Sequence, residues 1–143
     1  MAKIKTVREL VAWQKAEALA ELVYVACKSG ELSRDFGLCD QMRRAAVSVM
    51  SNIAEGFERD TTPDFIHFLF IAKGSLGEVR SQLFLAAKLR LITPSVFGTT
   101  DALADETGKL ISGLIAYLRE KTKADPRRNS RTNSPKPLNS STN

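Results

Sequence analysis

"QMRRAAVSVMSNIAEGFERD", Gln41 to Asp60, contains no proline and one glycine, Gly56. Wound at about 100° per residue, Gln41, Arg44, Ser48, Asn52, Glu55 and Arg59 fall on one narrow polar stripe of a helix. Met42, Ala46, Val49, Ile53 and Phe57 form a second, apolar stripe, and Val47, Met50 and Ala54 widen it, with Arg43 among them. The apolar arc covers about half of the circumference, whereas a helix of a lone bundle needs about a third. The excess predicts burial against a second surface, most simply another subunit.

The polar stripe has two readings. In one, Glu55 is a general base or Arg44 an anion clamp. In the other, Ser48 and Asn52 satisfy each other while Glu55 and Arg59 form an exposed i,i+4 ion pair. The second is preferred, and it assigns Arg44, Ser48, Asn52 and Glu55 to structure and interface rather than to catalysis. Arg43 lies inside the apolar arc and needs a partner there. Glu78 is the expected one, because "KGSLGE" (73–78) carries Gly74 and Gly77. Two glycines inside a helix cost about 1 kcal/mol each against Ala, and close helix–helix packing is the expected compensation. A phosphate-cradling loop is the rival reading and is disfavoured, since no strand precedes the glycines and no Gly-Lys-Ser/Thr follows.

Outward from this helix, three more are predicted. The first runs from about Val7 to Lys28, with Leu10, Trp13, Ala16, Ala20, Val23 and Cys27 on one face. "KSGELSRDFG" (28–37) breaks it, with Asp35 as N-cap of the second helix, about 36–58. Thr62 then caps a third helix from about Pro63 to Leu91, whose inner face holds Phe65, Phe68, Leu69, Ala72, Leu76, Val79, Leu83 and Ala86. Thr93 and Pro94 repeat that signal for a fourth, about 94–121, in one piece or in two around Gly98. Its stripe is Leu103, Leu110, Ile111, Leu114, Ile115 and Leu118. Four helices with short connections predict an all-α, antiparallel up-down four-helix bundle over residues 1–123. "ADPRRNSRTNSPKPLNSSTN" (124–143) has one large apolar residue, Leu138, and reads as a disordered basic tail.

The chain of 143 residues carries a net charge of +5. Arg127, Arg128, Arg131 and Lys136 against Asp125 alone give the tail +3, leaving +2 for residues 1–123. A basic balance favours anionic partners such as nucleic acid. No apolar run reaches the roughly 18 residues that a membrane span needs. "MAKIKTVREL" (1–10) holds charges and no apolar core of a secretory signal. Cys27 and Cys39 form no C-x-x-C motif and read as reduced thiols in a cytoplasm.

No enzyme signature is present. His67 is the only histidine, so the paired Glu-x-x-His motifs of a di-iron bundle are absent. Asp64 and His67 together make too few ligands for a metal, and His67 is expected at a helix surface or beside Phe68. No catalytic residue, metal or cofactor is expected.

"LVAWQKA" (10–16), "FGLCDQMRRAAVSVMSNIAEG" (36–56) and "FIAKGSLGEVRSQL" (70–83) resemble the signature segments of the 23S rRNA-intervening sequence proteins. The likeness covers residues 6 to about 120 and is weakest in the fourth helix. It implies an antiparallel four-helix bundle that assembles into ring-like homopentamers, in a family without established catalysis. Some members are encoded inside intervening sequences of bacterial ribosomal RNA genes. A related branch, the accessory variability determinant of diversity-generating retroelements, is a basic bundle that binds a reverse transcriptase and nucleic acid. This body is far less basic than that branch, at only +2.

The expected function is therefore a non-enzymatic oligomeric bundle that associates with RNA or DNA through basic residues. Lys3, Lys5 and Arg8, with Arg127, Arg128 and Arg131, are the candidate contacts, forming a basic rim in a ring. Contacts of this kind go to phosphates and carry little sequence specificity, and no aromatic-interleaved basic strand supports base reading. The alternative is a scaffold that docks a partner protein such as a reverse transcriptase and binds no nucleic acid itself.

Overall fold

The computed structural model describes residues 3–124. Four helices make up the bundle: α1 (Val11–Ala26), α2 (Phe36–Phe57), α3 (Thr62–Lys88) and α4 (Pro94–Lys123). Each packs against two neighbours, in the cycle α1–α2–α3–α4–α1. The connections are short, so successive helices run antiparallel, and no strand is formed among the described residues. The sequence-predicted basic tail lies outside the described residues, apart from Ala124.

Caps set the helix limits. The Asp35 carboxylate accepts the Leu38 N–H at 3.0 Å, and the Thr93 hydroxyl accepts that of Val96 at 3.1 Å. The third helix is capped by Thr61, not Thr62: the Thr61 hydroxyl accepts the Asp64 N–H at 3.3 Å. Pro63 still falls in the first turn, where its missing N–H leaves nothing unpaired. The first helix starts later than the apolar spacing predicts. Residues Val7–Glu9 form a separate 3-10 turn, and Leu10 is extended at φ −76°, ψ 123°. The Glu9 carboxylate accepts the backbone N–H groups of Lys5 and Thr6, each at 2.7 Å, which holds that turn closed.

The third helix ends at Lys88 instead of Leu91 because Arg90 turns left-handed, at φ 59°. Its N–H donates to Ala87 O (3.0 Å), and that of Leu91 donates to Ala86 O (2.8 Å), the paired bonds of a Schellman ending. Leu91 O then accepts the N–H of Leu32 at 3.2 Å. That bond ties the α3–α4 connection to the α1–α2 connection. The fourth helix runs unbroken through Gly98.

Leu19, Val23, Met42, Val49, Ile53, Leu69, Leu83 and Ile111 form the centre of the core and are fully buried. All but Leu19 come from the apolar faces read at three- and four-residue spacing. Close approach occurs at a different glycine from the two expected. A Cβ at Gly56 would lie 2.8 Å from both Phe65 Cδ2 and Phe68 Cβ, whereas one at Gly74 or Gly77 would meet nothing within 4 Å. Gly74 and Gly77 are exposed on α3, so packing within the chain does not offset their helix cost.

Both cysteines are free and buried. The Cys39 thiol donates to Leu32 O at 3.2 Å. Burial, reinforced by the neighbouring Cys39, pushes the Cys27 thiol up to about 12.

Gly56→Ala should lower stability by about 1–3 kcal/mol, the usual cost of overpacking. Gly74→Ala should raise it by up to about 1 kcal/mol through helix propensity alone. Urea denaturation of the two variants checks both, and equal effects would refute the assignment of the close contact to Gly56. Iodoacetamide should leave Cys27 and Cys39 unmodified in the native protein and label both in denaturant. Rapid labelling of Cys27 under native conditions would contradict its burial.

Candidate functional site

Antiparallel packing places the polar stripe of α2 against α3. The Ser48 and Ser75 hydroxyls meet at 2.9 Å, and the Asn52 amide donates to Ser48 O (2.8 Å) and Ser48 Oγ (3.0 Å). Glu55 and Arg59 pair at 2.9 Å, as their i,i+4 spacing predicts. The Arg59 guanidinium also lies 4.7 Å from the centre of the Phe68 ring. Arg44 is exposed and pairs with Asp40 at 3.0 Å. The stripe is thus a packing seam with an ion-paired edge, and no nucleophile and base converge on it.

Arg43 does not pair with Glu78. Its guanidinium lies 5.9 Å from the Tyr24 ring centre, on the α1 side of α2, while Glu78 is exposed on α3. The reason is angular. Arg43 sits between Met50 and Ala54 on the wheel, which turns it toward α1, whereas Ser48 faces α3. Its charge stays half-exposed over an aromatic face instead of buried against a carboxylate.

His67 is exposed and packs edge-on to Phe68, with centroids 5.8 Å apart. Among the described residues, no group of three or more His, Cys, Asp or Glu side chains could hold a metal ion. No helix among them is long and apolar enough to cross a membrane.

Of the expected nucleic-acid contacts, Lys3, Lys5 and Arg8 are exposed before α1. Arg127, Arg128 and Arg131 lie outside the described residues. Up-down topology brings the start of α1 to the same end as the α2–α3 turn. That turn carries Glu58, Asp60 and Asp64, so Lys3, Lys5 and Arg8 do not stand on a purely basic end.

The α3–α4 face is different. Phe70, Lys73, Gly77, Arg80, Phe84 and Lys88 recur every three or four residues, which sets them on one side of α3. Contacts show that this side faces α4. Arg80 binds Asp101 through two hydrogen bonds (3.0 and 3.1 Å) and reaches Asp105 at 3.3 Å. The Arg119 guanidinium lies 5.2 Å from the Phe70 ring centre, and Phe84 meets Phe97 edge-on at 6.4 Å. Between these ends runs a groove of about 430 Å³ lined by Lys73, Gly77, Arg80, Gly108, Lys109 and Ser112, among others. Lys109, at 3.1 Å, and then Arg80 hold the Asp105 carboxyl below the usual carboxylate range. Hydrogen bonding to Asp101 raises Arg80 above its ordinary value.

Charge is uneven here. Lys73, Arg80, Lys88, Lys109 and Arg119 gather on this side, and Asp101 and Asp105 are the carboxylates that Arg80 and Lys109 pair with. Lys73 and Lys88 have no carboxylate partner among the described residues. Phe70 and Phe84 remain 43% and 62% exposed beside them. Aromatics interleaved with basic residues on a strand are one sequence signal for contacts to bases. The same signal is present at helical spacing on α3, on the side that the inner-face residues leave open.

Comparison with known proteins places this bundle in a family. Residues 8–113 match the family model described as 23S rRNA-intervening sequence protein. Among solved structures, the chain is similar to a protein with unknown function from the S23 ribosomal protein family of Bacteroides thetaiotaomicron VPI-5482. The TM-score is 0.69 at 24% identity, covering 74% of this chain and 96% of the other, a likeness of fold. No significant match was found among curated proteins. The family match takes in α1 to α3, the seam between α2 and α3, and most of α4, and on that extent the chain belongs to the 23S rRNA-intervening sequence protein family.

Proposed function

We propose that this protein is a non-enzymatic, oligomeric helical bundle that associates with RNA or DNA through basic residues. The observation that carries the reading is the concentration of positive charge on one face of a body that is otherwise nearly neutral. Lysines without carboxylate partners attract phosphates and release counterions when they bind them. Two of the groups that would support an enzyme instead are in ion pairs, Glu55 with Arg59 and Arg44 with Asp40. A cytoplasmic location fits this reading.

Assembly is part of the proposal. Val47 on α2 is 36% exposed beside the partly buried Met50 and Ala54, which supports a second copy covering this surface. Val11 and Val25 of α1 and Tyr117 of α4 are each more than half exposed. A homopentamer is the number that the family resemblance implies. In a ring each basic face repeats, and Lys3, Lys5 and Arg8 with Arg127, Arg128 and Arg131 add charge around it. The same exposed apolar side chains support the second reading, a scaffold docking a partner protein such as a reverse transcriptase.

Binding of purified protein to structured RNA and to duplex DNA, at low and moderate salt, tests the proposal. Affinity should fall steeply with salt, and a chain ending at residue 123 should bind more weakly than the full chain. Absence of binding at low salt would refute the nucleic-acid reading and favour the scaffold.

A further inference from the structure

We propose that the α3–α4 groove binds single-stranded nucleic acid, with Phe84 and Phe70 as stacking platforms and Lys73, Lys88 and Lys109 on the phosphates. This rests on the nucleic-acid reading above and assigns it a site and a strand class. The site differs from the N-terminal and tail residues that the sequence singles out.

The groove combines the two components that single strands require. One is a track of positive charge for the backbone, and the other is exposed aromatic faces for unstacked bases. Both lie on one side of α3, in the order Phe70, Lys73, Arg80, Phe84, Lys88. The rings are 14 positions apart, about 21 Å along a helix, room for a short run of nucleotides between them. Arg80 is committed to Asp101 and Asp105, so it braces the wall of the groove. Lys73 and Lys88 are left to meet phosphate. Lys109 is 78% exposed and shares Asp105 with Arg80, so it can turn toward an anion without leaving that carboxylate unpaired.

The floor admits a chain. Gly77 and Gly108 both line it without side chains, and a Cβ at Gly108 would press on Leu76 Cδ2 at 3.1 Å, so that wall stays low. At one end, Phe97 meets the Phe84 ring at an interplanar angle of 66°, and Phe84 stays 62% exposed. At the other, Arg119 lies over Phe70, and a guanidinium stacks on a base as readily as on a ring. A duplex keeps its bases paired and stacked within the helix, so it offers the phenylalanines no base face. An acidic polypeptide would satisfy the lysines and leave the rings without stacking partners.

The test uses the full chain and a fluorescein-labelled 15-nucleotide oligouridine, with a duplex of the same length and poly-glutamate as competitors. The single strand should bind more tightly than the duplex. Phe84→Ala should weaken it about fivefold or more, the effect of one lost stacked base, with little change in salt dependence. Lys73→Gln and Lys88→Gln should each reduce the slope of log affinity against log salt by about 0.7. Arg44→Gln, on α2, should leave the slope unchanged. Thermal melts confirm that each variant is folded, as expected for side chains on the surface. If the wild type binds the oligouridine and the α3 variants bind it equally well, the groove is the wrong site and the nucleic-acid reading stands. If the wild type binds no nucleic acid at low salt, both fall. If duplex or poly-glutamate, at equal charge, competes as well as unlabelled oligouridine, the stacking assignment is overturned.

Discussion

A missing methyl group at Gly56 sets the distance between α2 and α3, and much of the surface is arranged around that contact. The backbone of α2 approaches Phe65 and Phe68 so closely that a Cβ would lie 2.8 Å from either side chain. Phe57 meets Phe65 edge-on, at 6.2 Å, beside the same contact. Two turns back along α2, Ser48 meets Ser75 at 2.9 Å. Glycine at one point and a hydroxyl pair at the other fix both the spacing and the rotation of α3. With Ser75 turned toward α2, helical geometry turns Lys73, Gly77 and Arg80 toward α4. The charged face is thus a consequence of the seam.

That rotation also explains the state of the ionic groups. Arg80 is partly buried because it lies on the inner edge of its face, and it finds two carboxylates one turn apart on α4. Arg43 lies on the opposite edge of α2 from the seam, so it reaches Tyr24 and has no route to α3. Exposed ion pairs such as Arg44–Asp40 contribute little to stability. Their effect is to neutralise the outer side of α2. Lys73 and Lys88 of α3 have no such partner among the described residues, so their charge is left on the side that faces α4.

The bundle was legible in the sequence because apolar spacing and caps report local geometry. Leu69, Ala72, Leu76, Val79 and Leu83 could only share a face, and Asp35 and Thr93 cap where their positions predict. Boundaries failed where a backbone conformation overrode side-chain pattern. Leu10 keeps its apolar side chain in the core while its backbone is extended, and Arg90 takes a left-handed turn usually given to glycine. The glycine reading failed for a different reason. Gly74 and Gly77 attract notice as a pair, but only the neighbours across the interface decide which glycine is needed for close approach. Those neighbours of Gly56 belong to another helix. The Arg43–Glu78 pairing failed for the same cause, since composition says that an arginine wants a partner without saying which way it points.

Candidate sites are harder to read than folds, and the α3 stripe shows why. Phe70, Lys73, Phe84 and Lys88 are individually unremarked in a helix whose other faces account for its apolar residues. Their common orientation becomes a site only when α4 supplies the second wall, with Arg119, Lys109 and Gly108 at matching heights. Antiparallel pairing makes that match possible: each step of α3 toward its C-terminus meets a residue of α4 nearer its N-terminus. Arg80 therefore finds Asp101 and Asp105, Leu76 lies against Gly108, and Phe70 reaches Arg119. The two aromatic ends and the open middle are fixed relative to one another by a buried core rather than by loops. A surface held this way presents charge and ring faces at constant spacing, which limits the ordering entropy that binding must overcome.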